Sequence, residues 1–133
     1  MNTSHTHKIR VYYEDTDAGG VVYYANYLKF AERARTEMLR AAGIEQTRLA
    51  QEQDVLFAVR RVALDIRRPA RLDDVVTVET SVTALGGARI TMQQTLRCDG
   101  EILAVVDVEI ACITSAFTPA RLPQNVKDAL ANG

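Results

Sequence analysis

The chain has 133 residues, with 16 basic and 17 acidic side chains, two histidines and a sequence isoelectric point of about 6.1. This length fits one domain with a sizeable core. The charges are balanced and form no runs of one sign, which excludes the electrostatic footprint typical of nucleic-acid binding. No apolar run approaches the roughly 20 residues that span a bilayer. The first residues also lack the basic start and apolar centre of a signal peptide. We therefore expect a cytoplasmic protein that does not insert into membranes.

The start of the chain divides into a polar segment and a strand. Residues 1–7 are polar, and we expect them to form a disordered tail before a single domain at residues 8–133. From Ile9 onward, apolar and polar residues alternate through Tyr13, which predicts a half-buried strand. Cys98 and Cys112 lack a CxxC partner, so reduced thiols are expected rather than a disulfide or a metal site.

A long amphipathic helix is predicted at about residues 25–42, because small apolar side chains recur at helical spacing opposite a charged face. The apolar positions are Tyr27, Ala31, Ala34, Met38, Ala41 and Ala42. Gly43 is expected to end the helix. The alanines would let a sheet wrap closely around it, which makes this helix central. Shorter helices are predicted at residues 45–53 and 124–130.

Four strands are predicted at residues 55–68, 75–85, 88–98 and 102–114. In the last three, the even-numbered positions are apolar, which indicates an antiparallel sheet with one buried face. In the first, the apolar positions change parity at Arg60-Arg61, which predicts a β-bulge. Glycine-bearing turns at 85–88 and 98–101 connect neighbouring strands into a meander. The element order predicts an α+β domain in which a curled sheet wraps a helix.

The predicted sheet leaves two edges open. The last strand also carries apolar residues on its nominally outer face, namely Leu103, Val105, Ala111 and Ile113. Covering both features would require contact with another surface, so self-association is expected.

The stretch from Tyr13 to Tyr27 places an acidic, glycine-bearing loop directly before the long helix. A helix N-terminus has unpaired N–H groups and a partial positive charge, so it can polarise a carbonyl group while a carboxylate acts as base or nucleophile. This pairing indicates acyl chemistry. The chain lacks GxSxG, HExxH, P-loop and complete EF-hand motifs. Any nucleophile is therefore a carboxylate or a water molecule, and no metal or cofactor is expected.

The run from Val11 to Tyr23, followed by Asn26-Tyr27 and by the residues at 32–39, resembles the hotdog-fold acyl-CoA thioesterases. It is most similar to the Tol-Pal-associated branch of the 4-hydroxybenzoyl-CoA thioesterase-like family. The resemblance covers nearly the whole chain, including residues 67–74 and 119–123.

This resemblance implies a hotdog fold: a long central helix wrapped by a five-stranded antiparallel sheet, paired into dimers and often tetramers, with active sites at the dimer interface. It implies that Asp17 is the catalytic carboxylate, that the Tyr24 backbone N–H polarises the thioester carbonyl, and that Tyr13 lies nearby. The Tol-Pal branch usually has histidine at the position of Tyr24, whereas the 4-hydroxybenzoyl-CoA thioesterases carry tyrosine there.

Substrate contacts are expected from basic and aromatic side chains. The phosphates of coenzyme A usually meet Arg and Lys at a surface, and the candidates are Arg60, Arg61, Arg89 and Arg121. Arg89 ranks first because it follows the Gly86-Gly87 turn, where backbone can approach a ligand. Tyr23 is a candidate for the wall of the acyl pocket.

We therefore interpret the sequence as an acyl-CoA thioesterase that hydrolyses a short-chain or aromatic acyl-CoA to the free acid and coenzyme A. Asp17 acts as base or nucleophile, acyl carrier protein is an alternative carrier, and the protein is a homodimer or homotetramer. A hotdog dehydratase or hydratase would need a histidine–carboxylate pair, and the only histidines are His5 and His7. A non-catalytic acyl-CoA or acyl-carrier-protein binding module is the other alternative, although such a module has no obvious use for Asp17.

Overall fold

The computed structural model describes residues 4–132, with the side chains of residues 4–131. One antiparallel sheet packs against a long helix, and two shorter helices complete the domain. The strands are β1 Ser4–Arg10, β2 Leu56–Ile66, β3 Val75–Leu85, β4 Arg89–Cys98 and β5 Glu101–Ile113. The helices are α1 Ala25–Ala41, α2 Gln46–Gln53 and α3 Gln124–Asn132. A single 3₁₀ turn spans Tyr13–Asp15.

The sheet order is β1-β3-β4-β5-β2, with every neighbouring pair antiparallel. The tight turns make β3, β4 and β5 a meander, while β1 and β2 add to its two sides and form the edges. The five-stranded antiparallel sheet wrapped around a central helix is confirmed. Alternate residues of β3, β4 and β5 face α1 and are buried. The even-numbered apolar positions read from the sequence therefore form the inner face of this sheet.

Helix α1 matches the predicted position, and its buried side is wider than predicted. It buries Phe30, Leu39 and Arg35 in addition to four of the predicted apolar residues. Ala41, predicted on the apolar face, is exposed. The backbone explains why, because Gly43 takes a φ of +82° and ends the helix just beyond Ala41, before another turn can pack on the sheet.

The predicted bulge in β2 is confirmed, since the register with β5 shifts between Val59 and Arg61. A second shift, between Val82 and Ala84, was not predicted, and it leaves Ala84 exposed although its parity indicated burial. In the sequence, Val82 and Ala84 continue the regular alternation of apolar and polar residues, so only the pairing of β3 with β4 reveals this bulge.

Two expectations are corrected. Residues 4–7 are not a disordered tail, because Ser4 to His7 pair with residues 81 to 78 of β3. This pairing supplies the backbone hydrogen-bond partners, and the polar composition of the segment gives no sign of it. Residues 1–3 lie outside the described part of the chain. Leu103 is not on the outer face: it is 4% exposed and belongs to the core, because the register shift between Leu96 and Arg97 changes which β5 side chains face inward.

Both cysteines are free thiols, Cys112 buried and Cys98 half-buried. Burial raises the pKa of Cys112 to about 11, so this thiol stays protonated at neutral pH. No helix among residues 4–132 is long and apolar enough to cross a membrane. Within the same residues, no cluster of three or more His, Cys, Asp or Glu side chains is arranged to hold a metal ion.

Candidate active site

Residues 15–23, which we name the site hairpin, fold back on themselves immediately before α1. Three pairs of residues face each other across it: Asp15 with Tyr23, Thr16 with Val22 and Asp17 with Val21. The Gly20 N–H donates to the Asp17 carbonyl at 3.0 Å and closes the tip. Gly20 has a φ of +79°, a conformation that L side chains rarely adopt. The glycine-bearing loop of the sequence is therefore a tight turn that presents Asp17 at its tip.

The two aspartates of the loop have different roles. Asp15 Oδ2 accepts the Tyr12 N–H at 2.9 Å, so this carboxylate stabilises the 3₁₀ turn. Asp17 is exposed, and its Oδ1 accepts the Gly19 N–H at 2.8 Å. Its Oδ2 has no protein partner among residues 4–132. Asp17 thus has one oxygen held in place and one oxygen available for chemistry.

Tyr24 is the N-cap of the 17-residue helix α1 and already has helical backbone angles, φ −54° and ψ −34°. Within the described residues its backbone N–H donates to no protein group, so it is free to bind an external oxygen. Tyr24 is three positions after Val21, the hairpin partner of Asp17. Three extended residues span at most about 10 Å. The hairpin that carries Asp17 therefore leads directly into the free N–H at the start of α1.

Long-range hydrogen bonds at Ala70 hold the hairpin and the helix together. The Val22 N–H donates to the Ala70 carbonyl at 2.8 Å, and the Ala70 N–H donates to the Tyr27 hydroxyl at 2.9 Å. Asn26 Nδ2 also donates to the Asp15 carbonyl at 2.8 Å. Burial raises the pKa of Tyr27, which keeps its hydroxyl neutral. These bonds fix the direction in which α1 approaches Asp17.

These supporting residues were not predicted individually. Tyr27 was predicted only as an apolar-face residue of the helix and as part of the family resemblance, and Asn26 was noted only as part of that resemblance. Ala70 had no local signal, since its role depends on a partner 43 positions away.

Exposed tyrosines surround the N-terminus of α1. Tyr13 is 82% exposed in the 3₁₀ turn, and Tyr24 is 60% exposed. The rings of Tyr23 and Tyr24 have centroids 4.9 Å apart and are tilted by 48°. The pKa of Tyr23 is raised, first through hydrogen bonding with the Tyr24 hydroxyl and then through charge repulsion between the two phenols. The three tyrosines predicted for the site are therefore all exposed, and the rings of Tyr23 and Tyr24 are neighbours.

Three of the four candidate arginines meet on the outer face of the sheet. Arg60 Nη1 lies 2.7 Å from Glu109 Oε2, and Arg89 Nη1 lies 3.2 Å from Glu109 Oε1. Arg61 faces Glu109 across the β2–β5 pair. The hydrogen bond from Arg60 is the main reason that the pKa of Glu109 is lowered, and the charges of all three arginines add to it. One carboxylate among three guanidinium groups leaves a net positive surface, which we name the arginine cluster.

Arg121 lies in the loop after β5, outside the arginine cluster. The neighbouring Leu122 N–H donates to the Gly87 carbonyl at 2.7 Å, which places this loop beside the turn that precedes Arg89.

The segment that supports the site hairpin and the arginine cluster contact different parts of β5. The segment that supports the site hairpin meets β5 at Leu103, whose carbonyl accepts the Arg67 N–H at 2.7 Å. Glu109 is six positions after Leu103 on β5, which corresponds to about 20 Å at the usual rise of a strand. The segment that supports the site hairpin and the arginine cluster therefore contact β5 at positions about 20 Å apart.

The sequence profile of the thioesterase superfamily matches residues 19–105. Over 122 residues, the chain is also 46% identical to the acyl-CoA thioesterase YbgC of Haemophilus influenzae, covering 91% of this chain and 90% of that protein. The chain belongs to the thioesterase superfamily. The resemblance read from the sequence motifs and the prediction of a thioester hydrolase are confirmed.

Further similarities within the thioesterase superfamily agree with this assignment. The chain is 41% identical to the acyl-CoA thioester hydrolase YbgC of Escherichia coli O6:H1 over 120 residues, 89% of each protein. The crystal structure of a probable thioesterase from Bartonella henselae superposes with a TM-score of 0.87 at 40% identity, covering 91% of this chain and all of that one. The matching profile starts at Gly19, so it does not include Asp17.

Proposed function

We propose that this thioesterase hydrolyses short-chain or aromatic acyl-CoA thioesters to the free acid and coenzyme A, with Asp17 and the Tyr24 N–H as its catalytic groups. The observation that supports the proposal is a hairpin that presents a carboxylate with one oxygen held and one free, and that leads directly into a helix N-cap whose N–H has no partner among residues 4–132. The names of the YbgC relatives support acyl-CoA as the substrate class.

The reaction needs few protein groups because a thioester is an activated acyl donor with a good leaving group. The Tyr24 N–H donates to the thioester oxygen and stabilises the negative charge that develops on it, aided by the dipole of α1. Asp17 either removes a proton from an attacking water or attacks the carbonyl carbon to form an anhydride that water then opens. In both routes a C–O bond forms, the C–S bond breaks, and the coenzyme A thiolate leaves and takes up a proton.

The arginine cluster is proposed to bind the phosphates of coenzyme A. Its excess positive charge and exposed guanidinium groups suit planar, bidentate recognition of phosphate oxygens. Arg121 is proposed to contribute from the adjoining loop. Because the segment that supports the hairpin contacts β5 at Leu103, about 20 Å along the strand from Glu109, the arginines that serve a given Asp17 are proposed to come from a second copy.

Self-association through β2 is proposed to complete the site. Strand β2 pairs only with β5 among the described strands, and it exposes Val59, Val62 and Ile66, which are 50%, 41% and 43% exposed. An unpaired edge with exposed apolar side chains is a ready surface for a second strand. A homodimer, or a homotetramer built from it, would cover this edge. The Tol-Pal association, the cytoplasmic location and the use of acyl carrier protein stay predictions.

The test is a panel of acyl-CoAs of graded chain length plus an aromatic one, read by the release of thiol. We expect turnover of at least the short-chain or the aromatic members. Repeating the assay with the same acyl groups on acyl carrier protein identifies the carrier. If no substrate is hydrolysed while several bind, the protein is a non-catalytic binding module and the proposal is wrong.

The dimer is tested separately by light scattering at micromolar concentration. We expect twice or four times the 14.7 kDa chain mass. Full activity in a species of monomer mass would contradict a site completed by a second copy, without affecting the roles proposed for Asp17 and Tyr24.

A further inference from the structure

Helix α1 carries a buried arginine that the catalytic proposal does not use. Arg35 is only 9% exposed, and its Nη1 donates to Gln94 Oε1 at 2.9 Å. The Gln94 amide is itself fixed, because its Nε2 donates to the Ala31 carbonyl at 2.8 Å and to Thr80 Oγ1 at 3.0 Å. The guanidinium group is therefore held in one orientation by a network of buried polar groups.

The positive charge of Arg35 has no counter-charge in contact with it. Among residues 4–132, no Asp or Glu lies within ion-pair distance of Arg35. Burial lowers the pKa of Arg35, and the more distant Glu32 raises it, yet a guanidinium group stays charged in proteins. Burying an unpaired charge is costly, so a lone buried cation points to an anion that is supplied from outside the chain.

The free nitrogens of Arg35 face open space. Among the described residues, one side-chain nitrogen or oxygen is fully enclosed and lacks a hydrogen-bond partner. That atom is His5 Nδ1, so no Arg35 nitrogen is in this position. Within residues 4–132, Arg35 Nε and Nη2 have no hydrogen-bond partner, and neither atom is fully enclosed. Arg35 lines a cavity of about 430 Å³, so we infer that these nitrogens border it. We name it the Arg35 cavity.

The Arg35 cavity combines six apolar side chains with one cation, one carboxylate and two uncharged polar groups. Its apolar residues are Leu39, Phe57, Val59, Ile90, Met92 and Ile110. Glu32, Thr36 and Gln46 add polar groups. The volume falls in the range of about 300–1,000 Å³ that is usual for small-molecule sites, which are mostly apolar with a few fixed polar groups. Walls of this kind suit an apolar group that carries one negatively charged end.

We propose that the Arg35 cavity binds a carboxylate attached to a short apolar group. Resting on the proposed function, this inference names two sources of such a ligand: the carboxylic acid that hydrolysis releases, or an acyl-CoA whose acyl chain ends in a second carboxylate. Arg35 lies eleven residues after Tyr24, about 16 Å along the helix axis. Within one chain, only the far end of an extended acyl group could reach it from the thioester position.

Direct binding tests the shared chemistry without requiring turnover. Hexanoate and benzoate are titrated into the wild-type protein and followed by NMR shifts of the cavity residues, with hexanamide and benzamide as uncharged controls. We expect the carboxylates to bind at least tenfold more tightly than the amides. Arg35→Gln should remove this difference, whereas Arg33→Gln, which changes an exposed arginine on the same helix, should preserve it.

A second variant keeps the test valid if Arg35→Gln does not fold. Glu32 is exposed and lines the same cavity, so Glu32→Gln should leave the fold intact and remove a repulsive charge. We expect it to bind hexanoate several-fold more tightly than the wild type. Equal binding of carboxylates and amides by the wild type, or unchanged hexanoate affinity in Glu32→Gln, would overturn the inference.

The two sources are separated by a series of acyl-CoAs of graded length, each compared with its counterpart that ends in a second carboxylate. A preference of tenfold or more in kcat/KM for one carboxylated length, lost in Arg35→Gln, identifies the substrate as the source. Inhibition by hexanoate or benzoate without such a preference identifies the released acid. Carboxylate binding that persists when no thioester is hydrolysed would leave the cavity assignment standing while the proposed function fails.

Discussion

The site hairpin and the Arg35–Gln94 network fix polar groups in two different ways. At the hairpin, backbone hydrogen bonds set the geometry and the side chains of Asp17 and Tyr24 are exposed. In the network, the backbone is regular helix and strand, and the side chains of Arg35, Gln94 and Thr80 hold one another in the core. Substitutions at the hairpin should therefore change chemistry with little effect on stability. Substitutions in the network should change stability first.

The largest effect is expected for Asp17→Asn. This change keeps the shape and removes the charge, so kcat should fall by ~10²–10⁴ because the base or nucleophile is lost. The Gly19 N–H can still donate to the amide oxygen, so the fold should persist. The measurement is thiol release with circular dichroism as the control for folding. Near-normal turnover in a folded Asp17→Asn protein would remove Asp17 from the mechanism.

Gln94→Leu should show the opposite behaviour. It leaves Arg35 and the Ala31 carbonyl without their buried partner, so the free energy of unfolding should drop by about 2–4 kcal/mol. The matched control is Gln93→Leu on the same strand: Gln93 is exposed and bonds only to Asp107, so its loss should cost less than about 0.5 kcal/mol. Urea denaturation measures both. Equal costs would mean that the buried network does not stabilise the fold.

Much of the fold could be predicted from the sequence because the signals are local. The 3.6-residue spacing located α1, and the two-residue parity located the inner face of the sheet. The change of parity at Arg60-Arg61 revealed one bulge. The errors arose where pairing between distant strands decides the outcome, as at Leu103 and at residues 4–7, which no local pattern distinguishes from a surface position or a tail.

The site was only partly predictable for the same reason. The sequence places a carboxylate shortly before a helix start, and the structure shows a hairpin that carries this carboxylate and leads directly into α1. The sequence does not indicate that Ala70 joins the hairpin to α1. It also does not indicate that Arg35 is buried, because a charged residue in an amphipathic helix normally lies on the solvent side. The sequence likewise could not predict the cluster around Glu109, because strand register brings Arg60, Arg61 and Arg89 together there.

The two glycines of the loop give a sharper comparison within the hairpin itself. A Cβ on Gly19 would lie 3.2 Å from Asp17 Oδ1, and Gly19 needs no left-handed backbone, so Gly19→Ala should displace the carboxylate without straining the chain. We expect kcat to fall about tenfold, since small misplacements of catalytic groups are costly, with KM and thermal stability little changed.

Gly20→Ala is the counterpart, because its φ of +79° disfavours a side chain and nothing lies within 4 Å of the added Cβ. It should cost about 1–2 kcal/mol of stability. A Gly19→Ala protein with unchanged kcat would show that the Gly19 contact does not position Asp17.

The smallest effect is expected for Tyr24→Phe. The proposed contribution of Tyr24 is its backbone N–H, which phenylalanine retains, and the hydroxyl lies on a residue that is 60% exposed. Thiol release should therefore fall by less than roughly tenfold. The pKa of Tyr23 should move back toward its usual value, because the neighbouring hydroxyl that raises it is gone. Ultraviolet titration of the tyrosines can follow that change.

If Tyr24→Phe instead reduces turnover as much as Asp17→Asn while the protein stays folded, the phenol itself is the acid or the carbonyl donor. The chemistry at the start of α1 would then depend on a side chain, and the contrast between a backbone-defined hairpin and a side-chain-defined core would fail at the position where it matters most.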